Sequence, residues 1–291
     1  MTFELPNLKC AGSTHHSGQQ RGRINVNSCH KNEGGICATR ILPTAERRGS
    51  IVVHPTYPWT PTVHSYLRHL ESRGFQGSQR VVGSGYDDSG NETLSWTEGD
   101  LFPRSVWPGP EESLHSVGAL LHQLHQVSRD FVPPPDAEWM NWTLHSSSPE
   151  SLVSHGNVAP WHVVFRNGTP VGFIGWEYSG LVALSDEVAV TAWYCVQMFD
   201  GDIASEIGLP NANTRAIWFK SFQNGYGVEH SARADLIERM LHFAIRDNGM
   251  YCRDREFTQE NSKELWPIVW QSRAALRTLE NRDLLSRVAL S

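Results

Sequence analysis

Between Ser154 and Glu187 the chain gathers side chains that move protons. His155, Asn157 and His162 fall within Ser154-His155-Gly156-Asn157-Val158-Ala159-Pro160-Trp161-His162, Glu177 follows in Ile174-Gly175-Trp176-Glu177, and Asp186 lies beyond. Imidazole and carboxylate groups take and give protons near neutral pH, and an amide such as Asn157 donates a hydrogen bond to a developing oxyanion. The same amide cannot serve as a base, because it carries no site that accepts a proton under those conditions. Imidazole is also a softer ligand than Mg²⁺ prefers, better matched to zinc, iron or copper. As a set, these residue types point to acid–base chemistry with no metal taking part.

The spacing points elsewhere. It is that of H-x-D-x-x-x-x-N, the catalytic loop of enzymes that move the γ-phosphoryl group of ATP, followed by a strand that ends in a metal-binding Asp. Asn157 stands where the base Asp belongs, His162 where the metal-binding Asn belongs and Gly175 where the second metal ligand belongs. The flanks Ala159-Pro160-Trp161 and Trp176-Glu177-Tyr178 narrow the match, and with them the chain resembles the aminoglycoside phosphotransferase and choline kinase family. His54 to His64 resembles that family's entry into the helix of the small lobe, and Val117 to His125 its first long helix of the large lobe.

The resemblance runs from about Gly34 to the C-terminus and implies an α+β, two-lobed protein-kinase-like fold, with a small antiparallel-sheet lobe and a mainly helical large one. Residues 1–34 then form a polar tail, 35–98 the small lobe and 99–291 the large lobe, with Glu98-Gly99-Asp100 as the hinge. It implies that His155, Asn157, His162 and Glu177 surround one cleft, and it gives His155 and Asp186 the work of bracing the backbone there.

The family's activity does not carry over so readily. No lysine occurs between Lys31 and Lys220, so the small-lobe Lys that clamps nucleotide phosphates is missing, leaving Arg40, Arg47 or Arg48 as less suitable cations. Gly34-Gly35 is a weak substitute for a phosphate loop. The expected function is therefore a repurposed enzyme that needs no ATP, metal or other cofactor and catalyses an acid–base step, a cyclisation, isomerisation or elimination, on a small-molecule intermediate. A non-catalytic binding protein and a phosphotransferase with rearranged ligands, using Glu177 and Asp186 for the metal, are the alternatives.

Eleven tryptophans are many for 291 residues, and Trp139-Met140-Asn141-Trp142, Trp161 and Trp176 are candidates to line an apolar substrate pocket, with Asp186 as a polar member. With 39% hydrophobic residues and a net charge of −6, the composition is that of a globular protein with scattered basic residues. That argues against nucleic acid as a partner. The absence of a bilayer-length apolar run, or of a secretion signal in Met1 to Cys10, argues for a cytoplasmic protein and against a membrane one. Cys10, His15, His16, Cys29, His30 and Cys37 crowd the tail, but their spacings match none of the usual structural zinc patterns. With five cysteines and no CxxC pair, reduced thiols are expected.

Periodicity supplies the elements that must position these groups. Gly35 to Leu42 and Ser50 to Val53 read as strands about a turn at Glu46-Arg47-Arg48-Gly49, and Val63 to Arg73 as a helix through Val63, Tyr66, Leu67 and Leu70. Arg80 to Gly83 and Glu92 to Trp96 read as a hairpin about Asp87 to Asn91. Helices are expected over Glu111 to Val127, Leu184 to Met198, Thr214 to Gln223, Ala232 to Arg246 and Lys263 to Leu279. In the large lobe only Trp161 to Phe165 and Gly172 to Ile174 read as strands, and His122 and His125 read as packing or surface residues.

Overall fold

The computed structural model describes residues 45–101, 111–148, 151–199, 201–254 and 265–291. The expected strand Gly35 to Leu42, the cysteine- and histidine-rich tail and Arg40 lie outside the described residues.

The small lobe is built on one four-stranded antiparallel sheet, order β1-β2-β4-β3, from β1 (Glu46–Arg48), β2 (Ile51–His54), β3 (Val81–Tyr86) and β4 (Glu92–Ser95). Glu46 to Arg48, expected as a turn, is instead a strand that pairs with β2 and leaves Gly49 as the bend. The β3–β4 hairpin closes where the Asp87 carboxylate accepts from the Ser89 and Asn91 backbone N–H groups, each at 2.9 Å, a local turn that Asp favours. Helix α1 (Thr60–Ser72) lies against the sheet with Pro61 in its first turn, where a missing N–H costs nothing. Its buried stripe is Val63, Tyr66, Leu67 and Leu70, the spacing that periodicity requires.

The large lobe is helical. Helix α2 (Glu111–Ser128) buries Leu114, Val117, Leu121 and Leu124 and packs along α5 (Ala212–Tyr226), whose start is capped by Asn211 accepting from the Thr214 N–H at 3.0 Å. Helix α3 (Leu184–Val196) is buried from Glu187 onward, the mark of a helix enclosed on all sides, and lies against α6 (Asp235–Asp254). The short α4 (Gly201–Glu206), then α7 (Trp266–Glu280) and α8 (Arg282–Ala289), complete it. Two short antiparallel pairs stand at the lobe boundary: β5 (Ser151–Ser154) with β8 (Gly180–Ala183), and the hairpin of β6 (Val163–Arg166) with β7 (Thr169–Phe173). Only the second of these was expected; the β5–β8 pair joins segments distant in sequence.

Backbone bonds tie the β6–β7 hairpin to the hinge and to the small lobe. Asp100 and Phe165 exchange N–H···O bonds of 2.7 and 2.9 Å, and the Phe173 N–H donates to the Gly77 carbonyl at 2.8 Å. One apolar core runs through both lobes, from Val52 and Leu67 through Phe165, Phe173 and Trp176 to Phe222 and Phe243. The cleft is therefore framed by fixed backbone at its inner edge.

Candidate functional site

Strand β5 delivers His155-Gly156-Asn157 into the boundary between the lobes. Gly156 takes φ +79°, and a Cβ there would be driven into the Tyr178 carbonyl oxygen, so no side chain fits. Its N–H donates to Glu187 Oε1 at 2.6 Å, and its carbonyl accepts from Trp142 Nε1 at 2.7 Å. Glu187 is 1% exposed, and its other oxygen meets His125 Nε2 at 2.9 Å, while His125 Nδ1 meets the Tyr226 hydroxyl at 2.8 Å. The carboxyl group of Glu187 lies below its ordinary pKa. Burial alone would raise it, but the hydrogen bond and charge of His125 outweigh that.

His155 is fully engaged by backbone. Nε2–H donates to the Ile174 carbonyl at 2.8 Å and Nδ1 accepts from the Asn157 N–H at 3.2 Å, which fixes the tautomer. Burial holds its pKa at about 4, so the ring is neutral at physiological pH. Asn157 is 1% exposed, and its Oδ1 is buried with no hydrogen-bond partner.

His162 ends the short turn Pro160–His162. Its Nδ1–H donates to the Asn157 carbonyl at 2.8 Å, which leaves Nε2 as the nitrogen that carries the lone pair. The ring lies directly over Gly175. That glycine takes φ +80°, and a Cβ on it would stand 2.9 Å from His162 Cδ2 and 3.1 Å from Nε2. The imidazole thus occupies the space in which a metal-binding carboxylate at position 175 would begin.

The turn Trp176–Tyr178 follows, with Trp176 buried and its Nε1–H bonded to the Phe173 carbonyl at 2.9 Å. Glu177 reaches a cavity of about 140 Å³ between the lobes. The sheet contributes Val52, Glu92, Leu94 and Trp96, the approach to α1 contributes Tyr57 and Trp59, and the large lobe contributes Trp161, His162, Ile174 and Tyr178. Burial raises the Glu177 pKa to about 7, and the negative charge of Glu92 adds to the rise against a bond from its own backbone N–H. At neutral pH this carboxyl group is divided between its two forms. Burial lowers the pKa of His54 on the same wall.

The described residues of the cleft do not fit magnesium triphosphate. Gly175 supplies no ligand, and among the described residues no group of three or more His, Cys, Asp and Glu side chains is arranged to hold a metal ion. Of the candidate cations, Arg47 lines the cavity but is bound to Glu98 and stacked over Trp96, its guanidinium 4.4 Å from the ring centroid. Arg48 is held outside by Glu46 and Asp87.

Of the residues singled out in the sequence, the structure brings His162, Glu177, Trp161 and Trp176 to the cavity wall. His155 and Asn157 do not line it and meet its wall from behind, His155 against the Trp176 ring at 4.8 Å and Asn157 through the bond from His162. Trp142 instead braces the loop from behind, Trp139 packs at the edge of the core, and neither lines the cavity. Asp186 turns outward to Arg239 at 2.7 Å, and the bracing expected of it is done by its neighbour Glu187. His125, expected to have a packing role, serves that brace. Tyr57, Trp59, Glu92 and Trp96 were not singled out for the pocket. Only their places at a helix entry and on the edge of the hairpin carried a signal.

The geometry has counterparts. The chain is 36% identical over 247 residues, 83% of its length and 93% of the relative, to the trifolitoxin immunity protein of Rhizobium leguminosarum bv. trifolii. It belongs to the trifolitoxin immunity protein family. No family model matches it. Among solved structures it is similar to the amicoumacin kinase hAmiN, with a TM-score of 0.56 at 12% identity over 82% of this chain and 84% of that one. It is also similar to a choline kinase from Cryptosporidium parvum, with a TM-score of 0.53 at 9% identity over 89% and 94% of the two chains. An aminoglycoside phosphotransferase from Alicyclobacillus acidocaldarius gives 0.51 at 14% identity over 85% and 92%. This member of the immunity protein family therefore has the fold of the aminoglycoside phosphotransferases and choline kinases. No helix among the described residues is long and apolar enough to cross a membrane.

Proposed function

We propose that this protein confers immunity to a small toxic molecule in the cytoplasm by taking it into the cleft between the lobes and performing an acid–base step on it. Neither ATP nor a metal takes part. The observation that carries this reading is Glu177, a carboxyl group with a pKa of about 7 facing an aromatic cavity, with the lone pair of His162 Nε2 on the same wall. Glu177 in its protonated form gives a proton and His162 accepts one, or the reverse after Glu177 ionises. A positioned acid or base contributes roughly 10²–10⁴-fold, enough for a cyclisation, isomerisation or elimination of a reactive molecule. The toxin as target is supported by the 36% identical immunity protein. The absence of phosphoryl transfer is supported by His162 filling the space beside Gly175.

The test uses a trifolitoxin-sensitive strain and the purified protein. Expression is expected to protect the strain, and incubation with trifolitoxin alone, without nucleotide, is expected to convert it to a product of altered chromatographic retention. Glu177→Gln should slow that conversion at least about 10²-fold. A product heavier by one phosphoryl group, formed only with ATP and Mg²⁺, would overturn the reading. Protection with toxin recovered unchanged would replace catalysis by sequestration.

A further inference from the structure

Across the cavity from Glu177 stands a second carboxyl group, Glu92, at the start of β4 on the small-lobe wall. Its Oε1 accepts from His64 Nε2–H at 2.9 Å, the imidazole side chain being 2% exposed and that of Glu92 12%. Oε2 has no hydrogen-bond partner among the described residues. The imidazole is itself fixed. Gly85, at φ +96°, lays bare backbone against the ring, where a Cβ would stand 2.5 Å from His64 Nδ1, and Tyr86 tilts over it with 5.2 Å between ring centroids. One carboxylate oxygen is thus held from behind by a buried residue of α1, while the other stays uncommitted beside the cavity. The walls suit a flat occupant, with Tyr57 and Trp59 stacked at 4.9 Å and their planes 4° apart, and with Trp161 from the other lobe.

We infer that Glu92 is a further catalytic residue, the base that takes a proton from one face of the substrate while Glu177 gives a proton to the other, and that His64 is its positioning residue. The inference rests on the cleft being an acid–base site and names the reaction, a β-elimination. Glu92 Oε2 bonds to a proton taken from carbon, and the electron pair of that C–H bond becomes the new π bond. The bond to the leaving heteroatom breaks with its own pair, and the heteroatom departs carrying the proton of Glu177. Nothing is oxidised or reduced, and the proton left on Glu92 returns to Glu177 through solvent as the product leaves. His162 stands on the wall of Glu177 and meets the same face of a flat substrate, so loss of proton and leaving group from opposite faces needs a base on the small lobe. The charge of Glu92 also favours the proton on Glu177, which divides the two carboxyl groups into a base and an acid. The substrate class is a flat molecule with an acidified C–H beside a bond to a heteroatom leaving group.

The test uses the full chain and benzisoxazole, a flat neutral molecule that a base opens to cyanophenol by this same step, the C–H proton going to the base as the N–O bond breaks. Ring opening above the buffer rate, followed by absorbance, should fall as pH rises through about 7, where Glu177 gives up its proton. Arg47, His54, Tyr57, His162 and Tyr178 share the cavity, and His54 and Tyr86 pair with Glu92 across the sheet, so the inflexion is assigned by its loss in Glu177→Gln. Glu92→Gln should lower kcat at least about 10²-fold with KM nearly unchanged, and Glu92→Asp, which keeps the carboxylate, should recover about tenfold of that. His64→Ala should lower kcat about tenfold, and His64→Gln, which restores a donor to Glu92, should recover most of it. No ring opening above the buffer rate, a rate that instead rises through pH 7, or a Glu92→Gln variant with the parent kcat would overturn the inference. If Glu92→Gln loses its native circular dichroism, equal kcat in His64→Ala and His64→Gln would overturn it. Ring opening that depends on Glu92, with trifolitoxin left unchanged, would retire the proposed function and keep the inference. Toxin conversion at the parent rate in Glu92→Gln would do the reverse.

Discussion

The contact between His162 and Gly175 predicts a specific failure. Gly175→Asp puts back the carboxylate that a phosphotransferase needs, and in this chain it should damage the fold instead. A non-glycine residue at φ +80° costs about 1–2 kcal/mol. Its Cβ, 2.9 Å from His162 Cδ2, must also displace the imidazole and break the 2.8 Å bond from Nδ1–H to the Asn157 carbonyl. Leaving that buried group unpaired costs about 1–3 kcal/mol more. The expected loss is about 2–5 kcal/mol, a fall in Tm of about 5–15 °C for a chain of this size. His162→Asn removes the ring and opens the space. The double variant should therefore be more stable than Gly175→Asp alone, and a cycle of the two changes should show a coupling of at least about 1 kcal/mol. Urea unfolding followed by far-UV circular dichroism measures all four proteins. If Gly175→Asp is as stable as the parent, or the two effects add to within about 0.5 kcal/mol, the imidazole does not fill the metal position and the argument against phosphoryl transfer loses its steric half.

Glu177→Gln should stabilise the fold while removing the function. A carboxyl group raised from 4.5 to about 7 binds protons more tightly in the native state, so its contribution is fully present below pH 4.5 and is lost as pH rises through 7; the variant should gain about 1–3 kcal/mol over the parent at pH 8 and almost nothing at pH 4.5, read from Tm against pH. Glu187→Ala should cost about 3–5 kcal/mol in urea unfolding, because it strands the Gly156 N–H and His125 in the core, whereas Asp186→Ala on the surface should cost less than about 1 kcal/mol.

The helices were legible where a buried stripe recurs at helical spacing. Val63, Tyr66, Leu67 and Leu70 specify α1 from sequence alone, and the same holds for α2 through Leu114, Val117, Leu121 and Leu124. The strands that escaped are those whose state is decided by a partner. Glu46 to Arg48 has no apolar residue and becomes a strand because Val52 and Val53 offer a ladder beside it. Ser151–Ser154 and Gly180–Ala183 are four residues each, too short to show a period, and they pair across the intervening β6–β7 hairpin.

The site shows the same division between local pattern and distant contact. Loop spacing placed His155, Asn157, His162 and Glu177 together, since a motif records which residues must meet around one point. It could not say which of two adjacent acids turns inward. On α3, Glu187 lies on the face that continues into Val188 and Thr191, while Asp186, one residue earlier, points to solvent and Arg239. The buried neighbours of α2 carried the missing clue. His125 follows Leu121 and Leu124 on the apolar stripe, and an imidazole at such a position demands a polar partner from another element. That partner is the acid that holds Gly156. The brace is made wholly of protein groups, Glu187, His125, Tyr226 and the Gly156 N–H. The scaffold of this cleft is thus held by Glu187, His125 and Gly156, apart from the positions at which His162 and Gly175 depart from the phosphotransferase motif.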